Sequence, residues 1–135
     1  MIIEQPAKWL RWIYPHALWR MDKNEHAVYL TFDDGPIPQS TPFILDTLRK
    51  FGIKATFFMV GDNVRKYPKL YEQIVAEGHQ VGNHTFHHLG SFKHWAITYG
   101  YDVQDANELI HSLLFRPPHG WMRHAVYWWL SRKFT

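Results

Sequence analysis

The chain of 135 residues contains no cysteine. Disulfides, thiolate metal sites and a cysteine nucleophile are therefore excluded, and any metal must be held by nitrogen and oxygen. Long apolar runs are missing too: no segment approaches the ~18 apolar residues of a membrane-spanning helix. Residues 1–20 carry Glu4, Lys8, Arg11 and Arg20 among their apolar positions. With no uninterrupted apolar stretch and no small-residue cleavage site, a secretory signal is not expected there, which leaves a cytoplasmic location as the default expectation. Neither sign of charge dominates. Fifteen Lys and Arg against twelve Asp and Glu give a net charge of +3. No basic stripe stands out, so nucleic acid is not an expected partner. Such mild basicity suits an acidic or a neutral glycan equally. Repeats, low-complexity tracts and linkers are absent.

What is present is enough apolar material, 46% hydrophobic and 17% aromatic, for one folded domain with a buried core. The run His26–Phe32 is β-branched and aromatic and reads as a buried strand. It ends in Asp33-Asp34-Gly35-Pro36, a turn sequence carrying two carboxylates. Adjacent residues at a strand end point to opposite sides, so the two acids suit two tasks. One could bind a metal while the other stays free as a base; a plain polar turn is the alternative. About fifty residues on comes His84-Thr85-Phe86-His87-His88. His84 and His88 are spaced so that one helical turn or tight loop can aim both imidazoles at one point. One Asp and two neutral imidazoles suit Zn²⁺ and related divalent ions, and the positions left open fit a catalytic rather than a structural site.

The remaining pattern alternates strands and helices. Pro6–Tyr14 reads as a short amphipathic helix and Ala17–Met21 as a short strand, with Asp22–Glu25 turning the chain back. Ser40 or Thr41 can cap a helix with Pro42 in its first turn and Gly52 at its end. Lys54–Val60 is a second strand, Gly61–Asn63 a loop, Val64–Tyr67 a short helix, and Pro68–Glu77 a longer one stopped by Gly78. His79–Asn83 is a third strand that delivers His84. After an irregular aromatic loop, Tyr101–Ser112 reads as a helix, Leu113–Phe115 as a fourth strand and Trp121–Lys133 as a final helix. Each candidate motif falls just past a strand's C-terminal end, where parallel α/β folds gather their sites. Periodicity alone thus predicts an α/β fold with parallel strands.

A third stretch, Arg116-Pro117-Pro118-His119-Gly120, completes a recognisable order. The chain resembles the polysaccharide deacetylase (NodB-homology) family of carbohydrate esterases. Thr31–Pro36, His84–His88 and Arg116–Gly120 match that family's first three motifs, and the resemblance runs from about Ala27 to the C-terminus. It implies a distorted (β/α) barrel of the polysaccharide deacetylase type, incomplete because late strands are missing. Residues 26–135 would form the partial domain, and residues 1–25 a helix and short strand covering it. It also implies that Asp34, His84 and His88 are metal ligands, with His87 as the alternative to His88. The ion is expected to be Zn²⁺, with Co²⁺, Ni²⁺ or Mn²⁺ as alternatives.

The same resemblance makes Asp33 the general base, held by a bidentate Arg116. The backbone N–H of His119, stiffened by Pro117 and Pro118, would help stabilise an oxyanion. The family often has Tyr where His119 stands, so the substrate side of the site differs here. Thr85 is expected to orient its loop through its hydroxyl. Pro117, Pro118 and Trp121 are expected at the substrate, and His87, His94 and Trp95 could line a sugar groove. The implied reaction is metal-dependent removal of N- or O-acetyl groups from a sugar polymer such as chitin, peptidoglycan or xylan. A non-catalytic carbohydrate-binding module that keeps the metal pocket is the alternative. The family's late Leu-x-His and Asp-x-x-Asp-Trp motifs are not found, and His124 lies inside a helical pattern, so it does not replace the proton donor. A shortened domain is therefore expected, with impaired turnover and with self-association through an open sheet edge.

Overall fold

The computed structural model describes residues 8–19, 21 and 26–135. Its helices are α1 (Leu10–Ile13), α2 (Thr41–Phe51), α3 (Gly61–Lys66), α4 (Pro68–Ala76), α5 (Ala96–Ile110) and α6 (His124–Leu130). Its strands are β1 (Thr31–Asp33), β2 (Thr56–Met59) and β3 (Gln80–Asn83), which pair in parallel in the order of the chain. Parallel neighbours need crossovers, and α2 and the α3–α4 pair supply them. The register sets Phe32 beside Phe57 and Val81, and Asp33 beside Phe58 and Gly82.

Alternation along β2 divides its side chains between two faces. Phe57 and Met59 join Leu45 and Leu48 of α2, Val64 of α3, Ile74 of α4, and Ala106 and Ile110 of α5 in the main core. Each fully buried Leu or Ile of this kind stabilises the fold by about 1.5–3 kcal/mol. Phe58 faces the other way, over Gly82, where an added Cβ would collide with the Phe58 ring. A second cluster, Tyr99, Val103, Val126 and Leu130, joins α5 to α6.

Most expected elements are present, with shifted ends. β1 starts at Thr31 instead of His26, although the Thr56 N–H still donates to the Leu30 carbonyl. Pro42 sits in the first turn of α2, and Gly52, at φ +64°, ends it in the left-handed conformation. Neither Ser40 nor Thr41 caps α2 with its side chain; the Thr41 hydroxyl instead accepts the Ile37 N–H at 2.9 Å. Gly61–Asn63, read as a loop, is the first turn of α3. The Gly61 and Asp62 N–H groups, unpaired within any helix, donate to the Thr85 and Phe86 carbonyls, so a neighbouring loop completes the helix start.

α5 begins at Ala96 instead of Tyr101, running through Gly100 because that glycine seats the Trp129 ring of α6. α6 is shorter than Trp121–Lys133. At Leu113–Phe115 the expected fourth strand is reduced to a single parallel bridge, Asn83 to Phe115. Thr135 donates its N–H to the Leu113 carbonyl and accepts from the Phe115 N–H. Ala17–Met21 forms no strand among the described residues, and Pro6 and Asp22–Glu25 lie outside them. The Tyr14 ring packs edge-on against Tyr127 of α6, 4.9 Å between centroids. No helix among the described residues is long and apolar enough to cross a membrane.

Two outcomes follow from this packing. Gly82→Ala overpacks the Phe58 face and should destabilise the chain by about 1–3 kcal/mol in denaturant unfolding. His79 is buried, with Nδ1 accepting the Ala55 N–H at 3.3 Å. Burial first, and then Lys54, push its imidazole below the ordinary range, against the pull of Glu77. The folded state therefore binds fewer protons than the unfolded one near the ordinary histidine pKa of about 6.5, so this contribution is full above that pH and lost as pH falls below it. The melting temperature should drop between about pH 7.5 and about pH 5.5, and His79→Gln should flatten part of the drop.

Candidate metal centre

Asp34 follows the last residue of β1 with φ +70°. The left-handed turn sends its carboxylate away from Asp33, and the Asn63 side-chain amide donates to the Asp34 carbonyl at 2.7 Å. From the end of β3, two strands away, come His84 and His88. The loop carrying them is held from several directions. The buried Asn83 side chain donates to the Val103 carbonyl at 2.8 Å and accepts the Thr85 N–H at 2.9 Å. The Thr85 hydroxyl accepts the Leu89 N–H at 3.1 Å, as expected of a loop-orienting residue. The Asp102 carboxylate accepts the Phe86 N–H at 2.8 Å and the His87 N–H at 3.0 Å.

These restraints bring one oxygen and two nitrogens together. Asp34 Oδ1 lies 3.5 Å from His84 Nε2 and 3.1 Å from His88 Nε2. A tetrahedral ion with bonds of about 2.0–2.1 Å separates its ligand atoms by about 3.3 Å, so both spacings from Asp34 Oδ1 suit such an ion, and the three ligand atoms all lie within 4.8 Å of one another. The Nδ1–H of His84 donates to the Arg116 carbonyl at 2.7 Å, which leaves the Nε2 lone pair facing Asp34. His84 is only 3% exposed. Burial pushes its imidazole below the ordinary range, while the Arg116 carbonyl and the two carboxylates oppose that shift. The neutral form, the one that ligates metal, is thereby favoured. The Asp34 side chain is 65% exposed, so the open side of the trio faces solvent.

His87, the alternative ligand, points elsewhere: its Nδ1–H donates to Asp102 at 2.6 Å. Asp33 also stays out of the trio. Its Oδ1 accepts from Arg116 Nη1 at 2.8 Å, and the same nitrogen donates to the Thr31 hydroxyl at 2.9 Å. The expected bidentate fork is thus replaced by one nitrogen shared between an acid and a hydroxyl. The guanidinium lies over the Phe58 ring, 4.0 Å from its centroid, the same ring that needs glycine at position 82.

His119, at φ +61°, packs its ring edge-on against His88, 4.9 Å between centroids. Arg116, Pro117, His119 and Trp121 line a cavity of about 590 Å³ together with Phe58 and Tyr14. Pro118 does not line it; that ring is buried. His87, His94 and Trp95 do not line it either.

Asn83 and Asp102 escaped the reading of the sequence. Asp102 carries a usable signal, because it shares the inward face of α5 with Val103, Ala106 and Ile110. An acid on an apolar stripe is buried only when something needs it. Asn83 has only its position, one residue before a candidate ligand.

Comparison with known proteins agrees with this geometry. The polysaccharide deacetylase family model matches residues 20–132. A peptidoglycan-N-acetylglucosamine deacetylase of Bacillus cereus is 39% identical over 117 residues, 83% of this chain and 55% of that protein. A chitooligosaccharide deacetylase of Azorhizobium caulinodans is 34% identical over 105 residues, 78% of this chain and 49% of that protein. The solved structure of the peptidoglycan deacetylase PdaC from Bacillus subtilis superposes with a TM-score of 0.77 at 31% identity, covering 85% of this chain and 60% of that one. The chain thus spans about half the length of the curated relatives it matches. By sequence, by fold and by the convergence of its three motifs, it belongs to the polysaccharide deacetylase family.

Proposed function

We propose that this chain removes acetyl groups, by hydrolysis, from an acetylated sugar polymer. The observation that carries the reading is the Asp34–His84–His88 trio, whose ligand atoms lie within 4.8 Å of one another, beside an acid that pairs with Arg116 instead. Asp34 Oδ1, His84 Nε2 and His88 Nε2 would hold a divalent ion, Zn²⁺ first among candidates and Co²⁺, Ni²⁺ or Mn²⁺ after it. When bound, such an ion supplies Lewis-acid activation of water and of an acyl carbonyl.

The protein's own groups have separate tasks in this reading. Asp33 accepts the proton of the attacking water, and Arg116 holds that carboxylate in place through Nη1. The His119 N–H donates to the oxygen on which negative charge develops. Pro117 and Trp121, beside the cavity, contact sugar, and the apolar face of a pyranose suits the indole ring. An N-acetylated glucosamine polymer is the preferred substrate class, supported by the names of the bacillary and rhizobial relatives. Self-association is part of the proposal: β1 is an edge strand approached by the exposed Val28 and Leu30.

Three measurements check these statements. Asp34→Ala should abolish stoichiometric Zn²⁺ uptake in calorimetry, whereas Asp33→Asn should leave it intact. Metal-loaded chain should release acetate from N-acetylglucosamine oligomers, with a chelator stopping it and Asp33→Asn lowering it by about 10²–10⁴-fold. Acetate release that survives chelation would overturn the mechanism. Light scattering coupled to size-exclusion chromatography should show a species larger than the monomer; a sharp monomer peak would refute the edge pairing.

A further inference from the structure

Helix α5 carries three acids, and only Asp102 is buried, at 6% exposure. Its three contacts all go to the loop between the two histidine ligands. One carboxylate oxygen accepts both the Phe86 and the His87 N–H, and the other accepts the Nδ1–H of His87. The opposite side of the same loop is held by α3, whose first two N–H groups donate to the Thr85 and Phe86 carbonyls. The peptide units between His84 and His88 are thus gripped from both sides. The loop adopts a conformation that it would not choose freely, because Thr85 and His88 both have positive φ, at +66° and +56°.

We infer that Asp102 is a positioning residue for the metal centre: its carboxylate templates the 84–88 loop and thereby sets the gap between His84 Nε2 and His88 Nε2. The inference rests on the metal reading above. It assigns the work to the two backbone amides. The His87 imidazole is a lesser contact, since that ring is 62% exposed. An oxygen that accepts twice is what position 102 must supply. Asn supplies one and can turn its amide toward His87, whereas Ala supplies none and frees both N–H groups.

The test uses the full chain stripped of metal and titrated with Co²⁺, followed by its visible absorption. Asp102→Ala should weaken Co²⁺ binding about 10–100-fold and change the position and intensity of the bands. Asp102→Asn should restore both nearly to wild type, and His87→Ala should change affinity only a few-fold. Circular dichroism of the metal-free proteins reports whether each is folded. If Asp102→Ala does not fold, Asp102→Ser, whose short hydroxyl reaches at most one of the amides, takes its place with an intermediate loss expected. Wild-type affinity and spectrum in the folded Ala or Ser variant would overturn the inference alone. A wild-type chain that takes up no Co²⁺ would overturn the metal reading and this inference with it.

Discussion

Parallel pairing in register is the constraint from which the site follows. β1, β2 and β3 all run the same way, so Asp33, Phe58 and Gly82 lie side by side and the segments after them leave from one rim. β1 and β3 are still about 10 Å apart, twice the spacing of neighbouring strands. Asp34 and the two histidines close that distance by reaching across the end of β2. Had β3 run the other way, His84 would leave from the opposite edge and no loop of this length could bring it to Asp34.

The same rim resolves an electrostatic difficulty. Two carboxylates follow one another in the chain, and the trio can use only one. The left-handed turn at Asp34 sends the acids apart, and Arg116, arriving after the bridge from Asn83 to Phe115, engages Asp33 alone. Its position depends on Phe58 beneath the guanidinium, and Phe58 in turn depends on Gly82 beneath the ring. A core contact between two strands thus determines where the charge on Arg116 lies. The Arg116 backbone serves the trio as well, since its carbonyl fixes the His84 tautomer.

Strain is concentrated where the chemistry is proposed. Asp34, Thr85, His88 and His119 are non-glycine residues with positive φ. Such conformations cost on the order of 1 kcal/mol or more each and persist only when surrounding contacts outweigh the cost. For Asp34 and the 84–88 loop, Asn63, Asn83, Asp102 and the start of α3 supply those contacts. The loops are therefore set before any ligand arrives, and ordering them is charged to folding and not to binding.

Much of this was legible in the residues. The acidic pair at the end of the first strand, the glycine stop of α2 and, without cysteine, an oxygen-and-nitrogen metal set follow from local composition and spacing, while the three motifs in order follow from the resemblance to the family. What spacing could not supply was the partner arriving from elsewhere in the chain. His87 and His88 were both admissible ligands until α5 brought Asp102 to one of them. The helix expected from Tyr101 begins at Ala96 and runs through Gly100, where the Trp129 ring sits, and Gly61–Asn63 looked like a loop until Thr85 and Phe86 completed its hydrogen bonds. Pro118 was expected at the substrate, and its ring is buried in the fold. Periodicity tells a residue which side of its own element is buried. Only the assembled fold, through contacts between segments far apart in sequence, determines what it meets there.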